Sequence, residues 1–383
     1  MIHLVCAANR DYKQHMCAML ASVILNTTEQ LSIHILNNDF LEVDKKYITE
    51  MFCEYSSVDL YYYTVKDDIL AGINIIAEHL TIQTLYRLLA PILLPKDINK
   101  VLYLDCDVIV EDDISKLYAI DLEDYHLAAT NELSYEMIKL LELERDTYYF
   151  NAGVILINLK KWREEDFWLT CRTYALTHPD KLVYGDQDIL NGVLRGNWKR
   201  FHLKWNSTTN FSFFEDQYSK HFGIGEVEQA VSTPSIIHYI GRYKPWYVFC
   251  SHPYQERYFH YLDEINYSYV KYPELVFLGQ QTEKKIVLFG ASVAGATNLE
   301  KFKQYGVDVA YFCDNSPDKW NTFFNGVKVL SPREIMELEN IVIFITSMYV
   351  KEISQQLSGL GLVENQDFFE LTSIWRLASQ FGI

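Results

Sequence analysis

Over residues 1–110 the chain alternates short, almost wholly apolar runs with longer stretches of helical spacing. IHLVCAA (2–8) reads as a buried strand. A helix then runs to about residue 26, with Tyr12, Met16, Met19, Leu20 and Val23 on one stripe. LSIHILN (31–37) predicts a second strand, 43–54 a helix and VDLYYYT (58–64) a third strand. TIQTLYRLLAPILLP (81–95) predicts a helix, with Thr81 placed to cap it and Pro95 helping to end it. KVLYLDCDVIV (100–110) reads as one further strand. Strands alternating with helices imply a mainly parallel sheet covered by helices, with ligands at the carboxyl ends of its strands.

Beyond residue 125 the pattern loosens. HLAATNE (126–132) reads as a strand, YYFNAGVILINLKKW (148–162) as turn, strand and helix start, and GDQDILNGVLRG (185–196) as a short helix opened by acids. SIIHYIGRYKPW (235–246) reads as a strand entering a cationic, aromatic loop. From about residue 283 a second α/β unit begins: EKKIVLFGASVAGATNLEKFKQYGVDVAYFCDN reads strand, Gly-containing turn, helix, strand, and IVIFITSMYV adds a strand. The expected domains are 1–270 and 283–383, joined by the connector NYSYVKYPELVFLGQQT (266–282). No repeat of solenoid period occurs.

With 383 residues, 49% hydrophobic and 22% charged, the chain suits two soluble globular domains. A net charge of −17 without a clustered basic run argues against nucleic acid and against docking on acidic lipid. Seven scattered cysteines without a CxxC pair fit reduced, buried thiols in a cytoplasmic protein. The start MIHLVCAANRDYK does not read as a signal peptide, and no apolar run approaches the about 18 residues of a membrane span. Aromatics at 15%, Tyr alone 28 times, fit carbohydrate stacking and core filling alike.

The chemistry concentrates in VLYLDCDVIV. If the run is one strand, Asp105 and Asp107 share a face and Cys106 points the other way. Two carboxylates side by side in a sheet require neutralisation. Two readings fit: a divalent-metal site at the carboxyl end of a central strand, or a strand end with two solvated acids ahead of the acidic turn EDD at 111–113.

KVLYLDCDVIV, YYFNAGVILINLKKW, YGDQDILNG and IHYIGRYKPW occur in one order over about residues 1–265. In these motifs the chain resembles the retaining glycosyltransferases of family 8, the group of lipooligosaccharide α-galactosyltransferases and glycogenin. The resemblance implies a GT-A type nucleotide-sugar-binding fold, here followed by a small Rossmann-like domain. It further implies that His238 joins Asp105 and Asp107 around Mn²⁺, with Mg²⁺ as the alternative; a structural histidine is the competing reading. Lys244 and Gly241 would meet the donor diphosphate, against an ordinary surface lysine in a turn. Arg87 would touch donor phosphate or sugar, or else form a helix-surface salt bridge. Ala8, Asn9 and Tyr12 would hold uracil and ribose, Tyr12 stacking on the base or packing in the core, and Cys106 lies between the metal ligands.

Asn151, Asp186 and Gln187 match positions beside the transferred hexose, and N-capping is the alternative role of Asp186. Asn131 stands where relatives commonly carry an aspartate, which removes a charge from the sugar site. With the neutral amide of Gln187 near the anomeric carbon, front-face substitution is favoured over a double displacement through Asp186. Lys244, Asp186 and Gln187 are thus the expected catalytic groups. Trp205, Asn206, Phe211, Phe213, Phe214, Trp246 and Tyr247 are candidates for an acceptor platform.

The implied activity moves a hexose, galactose ahead of glucose, from a UDP-sugar to a hydroxyl of a glycan, lipid-linked sugar or glycoprotein. Such a protein would be cytoplasmic, or peripheral at the inner membrane face through its acceptor. The alternatives are a catalytically weak UDP-sugar-binding protein and a haloacid-dehalogenase-type phosphatase. The phosphatase would place its aspartate strand first and follow the second aspartate with Gly-Thr or Gly-Val, whereas DVI follows here. In the C-terminal unit GASVAG (290–295) has Ser292 at the middle glycine of a dinucleotide fingerprint, and Asp314 stands near the place of a ribose-binding acid. Nucleotide binding and a packing or protein-contact role both remain open for it.

Overall fold

The computed structural model describes residues 1–75, 81–144, 148–241, 244–248, 250, 252–272 and 284–371. The chain forms two compact units, 1–241 with 256–267, and 242–255 with 268–383. The stretch 242–255, expected with the first domain, thus groups with the second. Most of the expected connector, 273–282, lies outside the described residues.

In the first unit β1 (Ile2–Ala7), β2 (Leu31–Asn37), β3 (Val58–Thr64) and β4 (Lys100–Leu104) are mutually parallel. β5 (Val108–Val110) leaves this sheet, and β6 (Leu127–Glu132), β7 (Tyr149–Asn158) and β8 (Lys199–Arg200) complete it in the order β3-β2-β1-β4-β7-β6-β8. β7 runs antiparallel to both β4 and β6. β9 (Ser207–Thr208) and β10 (Ile236–His238) join β5 in a second, three-stranded sheet. The near-continuous apolar runs of β1, β4 and β7 follow from burial on both faces. Chain direction reverses in connectivity about β1, which has β2 on one side and β4 on the other, and ligands bind at such switch points.

Two readings from the hydrophobic pattern are corrected. The run 100–110 is two strands in two sheets, with Asp105-Cys106-Asp107 as the turn between them; its apolar residues continue because each flank enters a different core. The helix expected after residue 81 is present, as a 3-10 helix (Ile82–Leu89) followed by one short α-turn (Ala90–Leu93), with Thr81 at the cap position but without a side-chain cap bond. The helix Lys13–Asn26 is buried without a break from Met16 to Ile24, so it sits within the core and shows no one-sided stripe.

In the second unit β11 (Lys285–Phe289), β12 (Val309–Cys313), β13 (Phe323–Phe324), β14 (Val327–Leu330), β15 (Ile341–Ile345) and β16 (Phe368–Glu370) form a sheet ordered β13-β14-β12-β11-β15-β16. Only the β13–β14 pair in it is antiparallel among the described residues. The helix Val293–Gln304 follows β11 through Gly290, whose φ of +127° excludes most side chains. A Cβ on Gly295 would overlap the Gly290 carbonyl oxygen, so this glycine sets the approach of helix to strand. Among the described residues no helix is long and apolar enough to cross a membrane.

Candidate active site

The two sheets of the first unit meet at the Asp105–Asp107 turn. β1 and β4 are parallel, so the loop Ala8-Asn9 and the turn after Leu104 leave the same sheet edge. On the other side β10 pairs antiparallel with β5, with His238 opposite Val108, and Tyr239 N–H donates to the Asp107 carbonyl at 3.0 Å. This pairing carries a histidine from far along the chain to the two aspartates. His238 Nε2 lies 3.4 Å from Asp107 Oδ1 and 4.0 Å from Asp105 Oδ2. The three ligand atoms all fall within 4.8 Å of one another.

The donor set fits a divalent cation. His238 is buried, and its Nδ1 is 2.8 Å from Asn206 Oδ1, an acceptor that suits a hydrogen on Nδ1; a neutral ring so held turns its Nε2 lone pair toward the carboxylates. Asp105 divides its oxygens: Oδ1 accepts from Arg87 Nη2 at 2.8 Å and from Tyr103 O–H at 3.1 Å, and Oδ2 faces His238. Two carboxylates and one imidazole suit Mg²⁺ or Mn²⁺, the imidazole favouring Mn²⁺. Cys106 is buried and its thiol donates to the Ala7 carbonyl at 3.2 Å, which ties the turn to β1; the strand-face alternation expected of Asp105, Cys106 and Asp107 does not apply in a turn.

Arg87 lies between two carboxylates. Its guanidinium is 3% exposed, contacts Asp105 as above, and places Nε 2.8 Å from Asp186 Oδ2. It also donates to the carbonyls of Thr84 and Ala152 and lies 4.2 Å from the centre of the Tyr103 ring. A surface salt bridge is therefore excluded. Burial opposes its charge, and Asp105 and Asp186 more than reverse that, so its pKa is raised. For Asp186 burial dominates over Arg87 and the Thr84 hydroxyl, and its pKa rises to about 6. Asp186 does not cap its helix (Asp186–Leu194): the cap position is Gly185, at φ +61°. Its side chain turns instead to Thr84 and Arg87.

The same helix is spliced into β7. Gln187 Oε1 accepts from Ala152 N–H at 2.9 Å and its Nε2 donates to Tyr149 O–H at 2.9 Å, while Asn191 brackets Phe150 through both its N–H and its carbonyl. Tyr149 O–H donates to Asp188 at 2.6 Å. Buried Asp188 has its pKa pushed up to about 7, chiefly by desolvation, against the bonds from Tyr149 and the Tyr184 N–H.

Other expected residues separate into distinct settings. Ala8 is buried beside β2, and Asn9 caps the 3-10 turn Arg10–Tyr12 through a 3.0 Å bond to Tyr12 N–H. Tyr12 is half-buried, with its ring edge-on to His15, outside the buried run of the following helix. Asn131 is buried; its Oδ1 accepts from Arg200 Nε at 2.6 Å, and Arg200 is in turn paired with Glu226. Asn151 Oδ1 accepts from Gly153 N–H and Asn206 Nδ2, both at 3.0 Å. Gly241 has φ +72° with open space around it. Lys244, Trp246 and Tyr247 belong to the second unit. Of the aromatic platform, Trp205 and Phe211 are core residues and Asn206 is bonded to His238; Phe213 and Phe214 are exposed.

Gly153, Thr84, Tyr149, Glu132 and Asp188 were not singled out from the sequence. A signal existed for Gly153, a glycine inside the buried run FNAGVILI, which marks close approach of another group. In the second unit both Asp314 oxygens are engaged, by the Ala291 and Ser316 N–H groups and by Lys319 Nζ, each at 2.9 Å. That arrangement favours packing over ribose binding.

The family model "Glycosyl transferase family 8" matches residues 3–250, and the chain belongs to that family. Residues 282–367 match the model "C2185-like, N-terminal". The galactosyltransferase LgtC, solved in complex with donor and acceptor sugar analogues, superposes with a TM-score of 0.63 at 27% identity, covering 70% of this chain and 98% of LgtC. General stress protein A of Bacillus subtilis is 27% identical over 280 residues, 72% of this chain and 97% of its own length. A putative glycosyltransferase of Haemophilus influenzae is 27% identical over 257 residues, 66% of this chain and 74% of its own. GlyE of Streptococcus pneumoniae shares the fold over 100% of this chain and 99% of its own, with a TM-score of 0.53 at 19% identity.

Proposed function

We propose that this glycosyltransferase moves a hexose, with galactose favoured and glucose next, from a UDP-sugar to a sugar hydroxyl, with retention of configuration. The acceptor is a glycan, a lipid-linked sugar or a glycoprotein, and the protein works in the cytoplasm or at the inner membrane face. The observation that carries this reading is the cluster of Asp105, Asp107 and His238 at the edge where β1 and β4 end. In support, LgtC, solved with donor and acceptor sugar analogues, has the same fold at 27% identity.

Asp105, Asp107 and His238 hold Mn²⁺ or Mg²⁺ in this reading. The metal, when bound, neutralises charge on the departing diphosphate. Gly241 leaves its turn without a side chain, so that the backbone there can approach the phosphates. Ala8, Asn9 and Tyr12 face the nucleoside, and Cys106 shapes the turn beneath it. Asn131, Asn151, Asp186 and Gln187 border the sugar.

Front-face substitution is supported by the state of the two groups nearest the expected anomeric carbon. Gln187 is a neutral amide held at both ends, by Ala152 and Tyr149. Asp186 is engaged by Arg87 and Thr84, which lowers its readiness to act as a nucleophile. The acceptor hydroxyl then attacks from the leaving-group side and passes its proton to the departing phosphate. Arg87, which bridges Asp105 and Asp186, touches the donor phosphate or sugar in this reading.

The test is release of UDP from a panel of UDP-sugars with and without Mn²⁺. Metal-dependent hydrolysis of one UDP-hexose above the rest is expected. Equal, metal-independent release from every donor, or none with no UDP binding, would refute the reading.

A further inference from the structure

A polar chain with one direction leads away from the metal cluster into the protein. His238 Nδ1–H donates to Asn206 Oδ1 at 2.8 Å, and Asn206 Nδ2 donates to Asn151 Oδ1 at 3.0 Å. Asn151 Nδ2 donates to Glu132 Oε2 at 3.1 Å, and the other Glu132 oxygen accepts from Asn210 Nδ2 at 3.1 Å. Each amide in the series has its flip state set by its neighbour. A carboxylate accepts only, so Asn151 must present its NH₂ to Glu132 and its oxygen to Asn206. Asn206 must then present its NH₂ to Asn151 and its oxygen to His238. The Gly153 N–H, also donating to Asn151 Oδ1 at 3.0 Å, enforces the same orientation from β7.

We propose that Glu132, Asn151 and Asn206 are positioning residues that lock His238 in the tautomer whose Nε2 lone pair faces Asp105 and Asp107, and that they thereby set the affinity of the site for its divalent cation. Glu132 and the Gly153 N–H together set the polarity, one at each end of the Asn151 amide. With the Glu132 acceptor lost, only the Gly153 N–H opposes a joint rotation of Asn151 and Asn206 that would offer His238 an NH₂ group. Nε2 would then carry the hydrogen and point it at the carboxylates, where a cation has to bind. Asn206 and Asn151 are themselves buried, so water does not compete for these bonds. A histidine ligand whose second nitrogen is held in this way is oriented and made more basic, and loss of such a partner weakens metal binding by about 10–100-fold. This inference rests on the metal reading above, and it gives Asn206 and Asn151 a task distinct from contact with acceptor or hexose.

The experiment measures two quantities on the full-length protein. One is the tautomer of His238 without metal, from ¹⁵N NMR of histidine-labelled protein at a pH high enough to leave the ring neutral. The other is Mn²⁺ affinity by calorimetric or EPR titration. Wild type is expected to show a protonated Nδ1 and an unprotonated Nε2. In Asn206→Leu the tautomer is expected to become mixed and Mn²⁺ binding to weaken about 10–100-fold. Asn206→Asp, which keeps an acceptor for Nδ1–H, is expected to restore the tautomer.

Glu132→Gln reaches the far end without touching a ligand or its direct partner, and it must place an amide NH₂ against one of two donating asparagines. It is expected to lower Mn²⁺ affinity about tenfold. Should Asn206→Leu disrupt folding, the Glu132→Gln variant carries the test. Wild-type tautomer and wild-type affinity in a folded Glu132→Gln or Asn206→Leu protein would overturn the relay. A wild-type protein that binds no Mn²⁺ would overturn the metal reading and the affinity claim together, while the tautomer measurement would still decide the relay.

Discussion

Gly153 lies on β7 directly behind the cluster, and alanine there tests how tightly the site is built. An added Cβ would sit 2.8 Å from Asp105 Oδ2 and 2.9 Å from His238 Nδ1, and closer still to His238 Cε1. Ordinary contacts between carbon atoms are about 3.5–4.0 Å, so something must retreat. The strand is poorly able to do so. The Gly153 carbonyl accepts from Asp105 N–H at 2.8 Å, its N–H donates to Asn151, and Val154 is in register with Leu104. The burden therefore falls on the His238 ring and the Asp105 carboxylate.

Overpacking of this kind costs about 1–3 kcal/mol. If cation binding must return the ligands to their original places, the same energy appears as roughly 5- to 150-fold weaker Mn²⁺ binding. Denaturant unfolding of Gly153→Ala gives the first quantity and titration with Mn²⁺ the second. Wild-type stability together with wild-type Mn²⁺ affinity would refute the reasoning, because the strand would then have yielded and the cluster would not be packed against it.

Arg87→Met leaves Asp105 and buried Asp186 without their shared partner, so unfolding free energy is expected to fall by about 3–5 kcal/mol; Arg87→Met combined with Asp186→Asn should recover part of that loss, and an unchanged denaturation midpoint in Arg87→Met would contradict the ion-pair assignment. His34, held between His3, Ser32, Tyr63 and the Tyr61 ring, has its pKa lowered to about 4 by burial first and by His3 second. Because the unfolded chain takes up this proton near 6.5 and the folded chain does not, the contribution of His34 to stability is present above 6.5 and is lost as pH falls from 6.5 toward 4, on the order of 3 kcal/mol in full. NMR titration should find its ring neutral at pH 5.5, and protonation near 6.5 would contradict the burial argument. Gly295→Ala, with its methyl against the Gly290 carbonyl, should destabilise the second unit by about 1–3 kcal/mol while leaving Mn²⁺ affinity unaltered, to be read by differential scanning calorimetry beside metal titration.

Local pattern made the strands and the strand–turn–helix of the second unit legible, because burial on both faces writes itself as continuous apolar runs. It misread VLYLDCDVIV, since two adjacent strands in different cores produce the same run as one long strand. The helix after residue 81 was legible but its 3-10 form was not, because the apolar positions of a 3-10 segment differ little in spacing from those of an α-helix over so short a length. The meeting of Asp105, Asp107 and His238 was legible only through the order of four motifs; nothing local to IIHYI says that it pairs with β5. Asn206 was noticed for its aromatic neighbours and assigned to the acceptor, whereas its bond is to His238. Glu132 carried no signal at all, because its importance comes from Asn151 and Asn210, which are brought to it by β7 and by the short helix Thr209–Phe213 after β9.

In the proposed reading Asp105, Asp107 and His238 hold the cation that recruits the nucleotide. Calorimetric titration of UDP into wild type and into Asp107→Asn, each with and without Mn²⁺, tests it most directly. UDP binding is expected to depend on Mn²⁺ in wild type and to be lost in a folded Asp107→Asn protein. Equal UDP affinity in all four titrations would contradict it.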